Sequence, residues 1–480
     1  MRSFEQWAAV ALLATVAVAQ AADNRMTDWP ALARNDVEAA YHLLKENHPA
    51  AAPETGDKAF VARLEAAHTV ALDRARQVNG TPGLFAVLGE FANAMGDGHI
   101  RAQPLTPNPT LSWAGIVMAK RSTGWIVASD ESGASLTGAK LISCDGQPAD
   151  ALASARLRFN ADVTAEFSLV KTAGALLVDS GNPFLKRPAA CVFAVDGAQR
   201  TVSLSWHEIS SDEFFSHHYK PPFGQAGFGL RKVGNGYWIA IQSLSGAAQP
   251  VIDAVKAARE AVRSAPFVVI DLRGNGGGNS AYSDQLITEL WGKASVNSAS
   301  AGMDNNSDCG VVYRASPGNI AGFSEMIEKR FKPQGDKAGE KSYAAAIEEM
   351  RKALASGRAL TGNPQCTPSK PGKRSLKPAI SGRVYVLTDT RCFSSCLIAV
   401  DTLRNFGAVQ IGHATGYNTH YSEGREILLP SGVATFSTLQ AIITGAPQKV
   451  GPFEPEYVYA YDIADTAAVE RWFLETVAPK

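Results

Sequence analysis

Apolar residues in the first hundred positions recur at helical spacing. Val37, Ala40, Tyr41 and Leu44 stand at i, i+3, i+4 and i+7, and Phe60, Leu64, His68 and Leu72 continue a similar period. The pattern from Asn24 to Met95 is therefore expected to be helical, and it ends in a turn signal at Gly96-Asp97-Gly98-His99. Between about Leu111 and Trp206 it changes to short β-branched and apolar runs broken by Gly and Asp, such as GIVMAK, GWIVAS and VFAVDGAQRTVSLSW. CDGQ and VDGA each place Asp-Gly between two such runs, which predicts two hairpins in a β-rich region. From about Gly227 the periods alternate. GYWIAIQSL reads as a strand, QPVIDAVKAAREAVRS as an amphipathic helix and APFVVIDLRG as a buried strand, and a helix follows from near Ser280 through Leu286, Leu290 and Trp291. Strand, crossover helix and strand imply a right-handed βαβ unit in a partly parallel sheet. The next clear strand, GRVYVLTD, comes only after a polar stretch from about Lys293 to Ser381, which holds one charged helix, KSYAAAIEEMRKALASG. That stretch is too long for a simple connection and reads as a lid-like insertion at about 295–378.

Composition narrows the setting. The chain opens MRSFEQWAAVALLATVAVAQAADN, with an apolar stretch from Ala8 to Ala19 and the small-residue pattern Ala19-Gln20-Ala21. This reads as a secretory signal cut after about Ala21, because the stretch is shorter than the roughly 20 residues a bilayer span needs. Export to the periplasm or beyond is expected, with no membrane span after the signal is removed. Basic and acidic residues balance at 46 each, so charge draws the protein to neither nucleic acid nor an anionic membrane. Six cysteines suit an oxidising compartment. Cys144, Cys191, Cys309 and Cys366 are widely spaced, as disulfide partners usually are, and Cys309 and Cys366 lie near the two ends of the insertion. Cys392 and Cys396 are only four apart. Pairing does not follow from sequence. A zinc site would need more Cys or His at ligand spacing than His413 and His420 provide, so no metal and no cofactor are expected.

Two stretches can carry chemistry. In VVIDLRGNGGGNSAYSDQL, Gly274, Gly276, Gly277 and Gly278 follow a buried strand and precede a helix, so several amides can converge beside a helix N-terminus and bind an anion or oxyanion. Asn279 stands where the dinucleotide motif needs its last glycine, and the P-loop's Gly-Lys-Ser/Thr is absent. A purely structural turn is the competing reading. In TDTRCFSSCLIAVDTL, Ser394 and Ser395 fall at a strand-to-helix corner, where a side chain is exposed and helical amides are free. The helix should bury Leu397, Ile398, Val400 and Leu403. The geometry is like a nucleophile elbow without its G-x-S-x-G, and a plain helix cap is the alternative. A serine nucleophile needs a base. His99 follows a glycine turn and joins no helical apolar face; His48, in ENHPAA, reads better as a cap.

These pieces, in this order, resemble the S41-type serine peptidases, the tail-specific and C-terminal-processing family, and within it the tricorn-core-like branch. AMGDGHIRA is similar to the family's ALGDGHT motif, DLRGNGGG appears unaltered at Asp271 to Gly278, and LTDTRCFSSCLIAVDTL is similar to its nucleophile motif. The resemblance runs from about Asn35 to Asp465. It implies an α/β fold with a ClpP/crotonase-like catalytic core, an N-terminal helical region and a PDZ-like β-rich domain. The expected division is signal peptide 1–21, helical region 22–105, PDZ-like domain 106–210 and catalytic core 211–480. The β-rich region fits because LTGAKLISCDGQPADAL looks like the closing strand, hairpin and helix of a PDZ module, which takes peptide termini by strand addition.

Carried over by position, the nucleophile falls on Ser394, with Ser395 the alternative one residue on. Gly276, Gly277 and the Ser395 amide are the implied oxyanion donors. Bacterial tail-specific members use a lysine base about 25 residues after the serine. Here Asn418 and Thr419 stand in that turn, and no lysine occurs between Lys377 and Lys449. The tricorn-like branch uses a histidine, which falls on His99, oriented by an acid for which Glu454 is the candidate, ahead of Glu456 and Glu423. His413 and His420 remain as second bases. A Cys392–Cys396 bridge would rigidify the corner. The implied activity is an exported serine peptidase acting on peptides or proteins. The alternative is a catalytically silent member of the fold that binds a peptide or ligand.

Overall fold

A computed structural model describes residues 27–105, 110–218, 224–296, 309–366, 378–445 and 449–479. The expected signal segment, 1–21, and both ends of the insertion lie outside the described residues. Helices form at Trp29–Asn47 and Lys58–Ala75, where the apolar period predicts them, and at Thr81–Asn93, within the same stretch expected to be helical. Asp28 and Asp57 cap the first two by accepting the amides of Ala31 and Phe60.

The three helices do not close a core of their own. Val37, Leu44, Phe60 and Val87 pack with Phe436, Leu439 and Ile442 from near the C-terminus. The sheet carrying those residues is built on Ala434–Ile443, which pairs antiparallel with Ala102–Pro104, Val311–Tyr313 and Tyr421–Leu428. Chain entering from residue 102 is thus laid beside chain more than three hundred residues later, and the turn holding His99 is carried with it.

The region from Ile116 to Ser203 is an antiparallel sheet in the order 116–121, 124–130, 140–144, 190–195, 198–203, covered by the helix Ala149–Leu157. Both predicted hairpins are there. Asp145 and Gly146 have φ of 46° and 79°, and Asp196 and Gly197 have 50° and 83°, the left-handed pair that a two-residue turn of type I′ requires. Cys144 lies directly opposite Cys191 on neighbouring strands and is bonded to it.

The core sheet has six strands in the order Phe228–Val233, Gly236–Ile241, Phe267–Asp271, Arg383–Thr388, Val409–Gly412, Tyr457–Val458. The first pair is antiparallel and the rest are parallel, as the βαβ reading implies. Phe267–Asp271 is buried along its whole length, which matches its unbroken apolar run. Two expectations differ. The amphipathic segment forms two helices, Gln249–Ala257 and Arg259–Ser264, interrupted at Ala258 with ψ of 15°. The described part of the insertion is tied down rather than suspended as a lid. Its strand Val311–Tyr313 joins the second sheet, its helices pack about Phe323 and Met350, and Asn319 donates to the Asn47 carbonyl at 2.9 Å.

Candidate active site

The strand Arg383–Thr388 and the helix Ser395–Asn405 meet at Ser394, whose φ and ψ are 57° and −129°. A side chain at such positive φ is strained, and the strain lifts its hydroxyl out of the corner, as at a nucleophile elbow. Leu397, Val400 and Leu403 anchor the helix in the core, but Ile398 does not: it is 42% exposed, because it lies on the helix face turned from the sheet. Cys392 and Cys396 are bonded across the corner with Cα atoms 5.3 Å apart, both fully buried. Cys309 and Cys366 are also joined, close to the glycine at 445.

Ser394 Oγ stands 3.1 Å from His99 Nε2. The other ring nitrogen, Nδ1, is 2.9 Å from Asp97 Oδ1, which also accepts the His99 amide at 2.8 Å. A carboxylate in that place accepts Nδ1–H, so Nε2 is left as the acceptor for the serine proton. The Phe393 ring holds the imidazole from one side at a centroid distance of 4.5 Å. Gly98 is needed for this approach, since a Cβ there would lie 3.1 Å from the same ring.

Asp97 thus occupies the place assigned by resemblance to Glu454, and the assignment is corrected. Glu454 is exposed in the segment leading to the last strand. Glu456 is exposed too, and Glu423 accepts the Tyr343 hydroxyl at 2.6 Å. Asp97 was in view in the quoted GDGH but reads as a turn former. Its signal is a carboxylate two positions before the base, where one turn brings it back to the ring. His413 Nε2 is engaged with the Tyr459 carbonyl at 2.9 Å, and His420 lies edge-on to the Tyr421 ring. His48 caps the helix that follows it, Nδ1 accepting the Ala50 amide at 3.1 Å.

The turn that lacks lysine has a different part. Thr419 donates its hydroxyl to Asp97 Oδ2, and Asn418 Oδ1 accepts the Ser394 amide at 3.0 Å. Burial by itself would raise the Asp97 carboxyl. The bonds and charge of His99, with Thr419, outweigh it and hold the group below its ordinary 3.8. A depressed folded value means that this stabilisation is fully present above 3.8 and is lost as pH falls through the lower folded value. Acid unfolding should therefore begin below about pH 3.8, and Asp97→Asn should flatten that limb of a melting-temperature profile. An unchanged acid limb in the variant would contradict this.

The glycine loop is pressed against the elbow. A Cβ on Gly277 would lie 2.8 Å from both the Phe393 carbonyl and Ser394 Cβ, and one on Gly278 would lie 2.1 Å from the Leu244 carbonyl. The buried Asn275 fixes the loop from within: Nδ2 donates to the Ile241 carbonyl at 2.9 Å and Oδ1 accepts the Gly277 amide at 2.8 Å. That last bond corrects the expectation for Gly277, whose amide is already used. Among the described residues the amides of Gly276 and Ser395 have no hydrogen-bond partner, so of the three expected donors these two are open. Ser395 Oγ donates to the Gly278 carbonyl at 2.6 Å, so this hydroxyl is committed to the loop and Ser394 is the one that meets His99.

Asp389 joins loop to elbow. One oxygen accepts the amides of Gly224 and Gly274 at 2.8 and 2.9 Å, and the other accepts the Arg391 amide at 2.9 Å. Burial outweighs these bonds and, with the Asp271 charge nearby, pushes the carboxyl up to about 7.

The sequence profile of peptidase family S41 matches residues 236–451, which include the glycine loop and Ser394. Over that span the chain is a member of peptidase family S41. Members of this family are serine hydrolases acting on peptides or proteins, and the α/β core carries that chemistry. His99 and Asp97 lie outside the matched span, and only the fold returns them to it. No curated protein matches the chain in sequence. Among solved structures, mature CPAF complexed with lactacystin is 14% identical with a TM-score of 0.57, covering 94% of this chain and 98% of that one. Mature CPAF alone is 14% identical with a TM-score of 0.55, covering 94% and 96%. At this identity the likeness concerns the fold.

Proposed function

We propose that this S41 peptidase cleaves peptide bonds through Ser394 as nucleophile, His99 as general base and Asp97 as the acid that orients it. The observation that carries the reading is the unbroken hydrogen-bonded line from Ser394 Oγ to His99 at 3.1 Å and on to Asp97 at 2.9 Å. Nε2 takes the hydroxyl proton as Oγ bonds to the substrate carbonyl carbon. The imidazolium that forms is stabilised by the buried Asp97 carboxylate, then returns the proton to the leaving amine as the C–N bond breaks. Water, activated by the same nitrogen, hydrolyses the acyl-enzyme. The Gly276 and Ser395 amides receive the oxyanion, a contribution of about 3 kcal/mol per donor in such sites.

Histidine serves as base here because the turn that would supply lysine is occupied by Asn418 and Thr419, whose side chains hold the serine amide and the acid. Export is proposed with this activity. It is supported by the apolar segment Ala8–Ala19 and by three disulfides, which persist in oxidising compartments. No helix among the described residues is long and apolar enough to cross a membrane.

A fluorophosphonate probe decides the assignment. It should label the intact protein at one residue, and Ser394→Ala should abolish labelling while Ser395→Ala retains it. Labelling that survives Ser394→Ala and is lost in Ser395→Ala would move the nucleophile by one residue. A folded protein that takes no label would be a binder built on the peptidase fold.

A further inference from the structure

A cavity of about 560 Å³ opens where the helical region, the segment 158–164 and the strands after Tyr417 meet. Asp97 and Thr419 form part of its wall, whereas Ser394 and His99 do not line it. Its size is within the range of small-molecule sites, and junctions between structural units are where such sites form.

The charges on its wall are unequally satisfied. Asp57 accepts the Tyr421 hydroxyl at 2.8 Å and the Phe60 amide at 2.9 Å. Asp162 accepts the Tyr417 hydroxyl at 2.9 Å and the Thr164 amide at 2.9 Å. Asp97 is held by His99 and Thr419, and Glu90 is in ion-pair range of Arg74 and Arg158. Every carboxylate on the wall is therefore already supplied with donors. The cations differ. Arg63 is exposed and makes no hydrogen bond or ion pair among the described residues, and the Lys449 ammonium has only the face of the Tyr417 ring, 4.0 Å from its centroid. These two cations therefore have no carboxylate of their own on the wall, and Phe60, Met95 and Val163 add apolar surface beside them.

We propose that this cavity is a binding site separate from the Ser394–His99 pair, for a carboxylate borne on a small apolar or aromatic group. Arg63 and Lys449 bind its charge, and the rings and aliphatic side chains take its body. Occupancy is felt at the reacting groups because the Thr419 hydroxyl both lines the cavity and bonds Asp97, which orients His99. The effect on turnover rests on the catalytic reading above; the binding does not.

Binding is measured by titration calorimetry on the full chain carrying Ser394→Ala, with N-acetyl-L-phenylalanine as probe. Saturable binding is expected, weakened at least tenfold by Arg63→Ala with Lys449→Ala, two exposed positions whose loss should leave the melting temperature unchanged. N-acetyl-L-phenylalaninamide should bind at least tenfold more weakly than the acid. Absence of saturable binding, equal binding of acid and amide, or binding indifferent to the double substitution overturns the site. Phenylacetate and a longer N-acetylated peptide with a free C-terminus separate the two sources of the carboxylate: tighter binding of the peptide assigns a chain end, and equal binding a free acid. In the unsubstituted protein the saturating acid should change kcat at least twofold, and unchanged kinetics despite binding overturns the link through Asp97. A protein without turnover would sink the catalytic reading and leave the calorimetric result to decide the site.

Discussion

Asp97→Asn should lower kcat by about 10⁴-fold with little change in KM, because it reverses the tautomer on which proton transfer depends. Asp97 Oδ1 accepts both Nδ1 and the main-chain amide of His99, and Oδ2 accepts the Thr419 hydroxyl. An amide of the same shape has one acceptor where the carboxylate has two. If its oxygen keeps Thr419, its NH₂ faces Nδ1 and the ring must present an unprotonated nitrogen there. Nε2 then carries the hydrogen and cannot remove the serine proton. Glu454→Gln should stay within about twofold of the unsubstituted enzyme, as expected of an exposed residue outside the reacting groups. Steady-state kinetics of the two variants compared with one peptide substrate check this. Equal losses in both, or a loss confined to Glu454→Gln, would return the acid to the C-terminal segment.

The largest effect on stability is expected from Arg273→Ala. Arg273 is 0% exposed and Asp271 is 1% exposed. The guanidinium donates to Asp271 at 2.7 and 3.0 Å and to the Ile463 carbonyl at 2.6 Å, tying the strand that feeds the glycine loop to the C-terminal segment. Burial opposes its charge, but the bonds and charge of Asp271 outweigh burial and raise its pKa. Removing the cation leaves a buried carboxylate with the Trp238 indole N–H at 3.0 Å and one main-chain amide at 3.1 Å. Breaking a buried pair in this way costs about 3–5 kcal/mol. Denaturant unfolding should show the loss, and Asp271→Leu combined with Arg273→Met should recover much of it, since no unpaired charge then stays buried. A single substitution costing less than about 1 kcal/mol would place the pair among those that contribute little.

The Asp and Arg of DLRGNGGG therefore have a structural part, while its glycines allow close approach to the elbow. That division was hidden in the motif, because letters alone do not separate a buried ion pair from an anion-binding loop. The elbow itself was legible. An apolar run of strand length, two serines and an amphipathic helix have few arrangements, and the corner between them presents one side chain. The Asp-Gly turns were legible for the same local reason, since both residues tolerate positive φ. Ile398 was misread because helical period marks an apolar stripe but not its edge. The insertion was misread because its strand finds a partner about 130 residues later, and nothing local signals that pairing.

By itself the sequence determined the elements, the strand-loop-helix around the four glycines, the corner at Ser394 and the lack of any lysine between Lys377 and Lys449. These follow from interactions within a few residues, where backbone preference and apolar period act directly. The tertiary structure alone decided which carboxylate reaches His99, which amides stay open for an oxyanion and which cations line the cavity behind Asp97. Each depends on whether every donor and acceptor already has a partner. Such partners are set by segments far apart in the chain, as when Thr419 meets Asp97, and only packing brings them together.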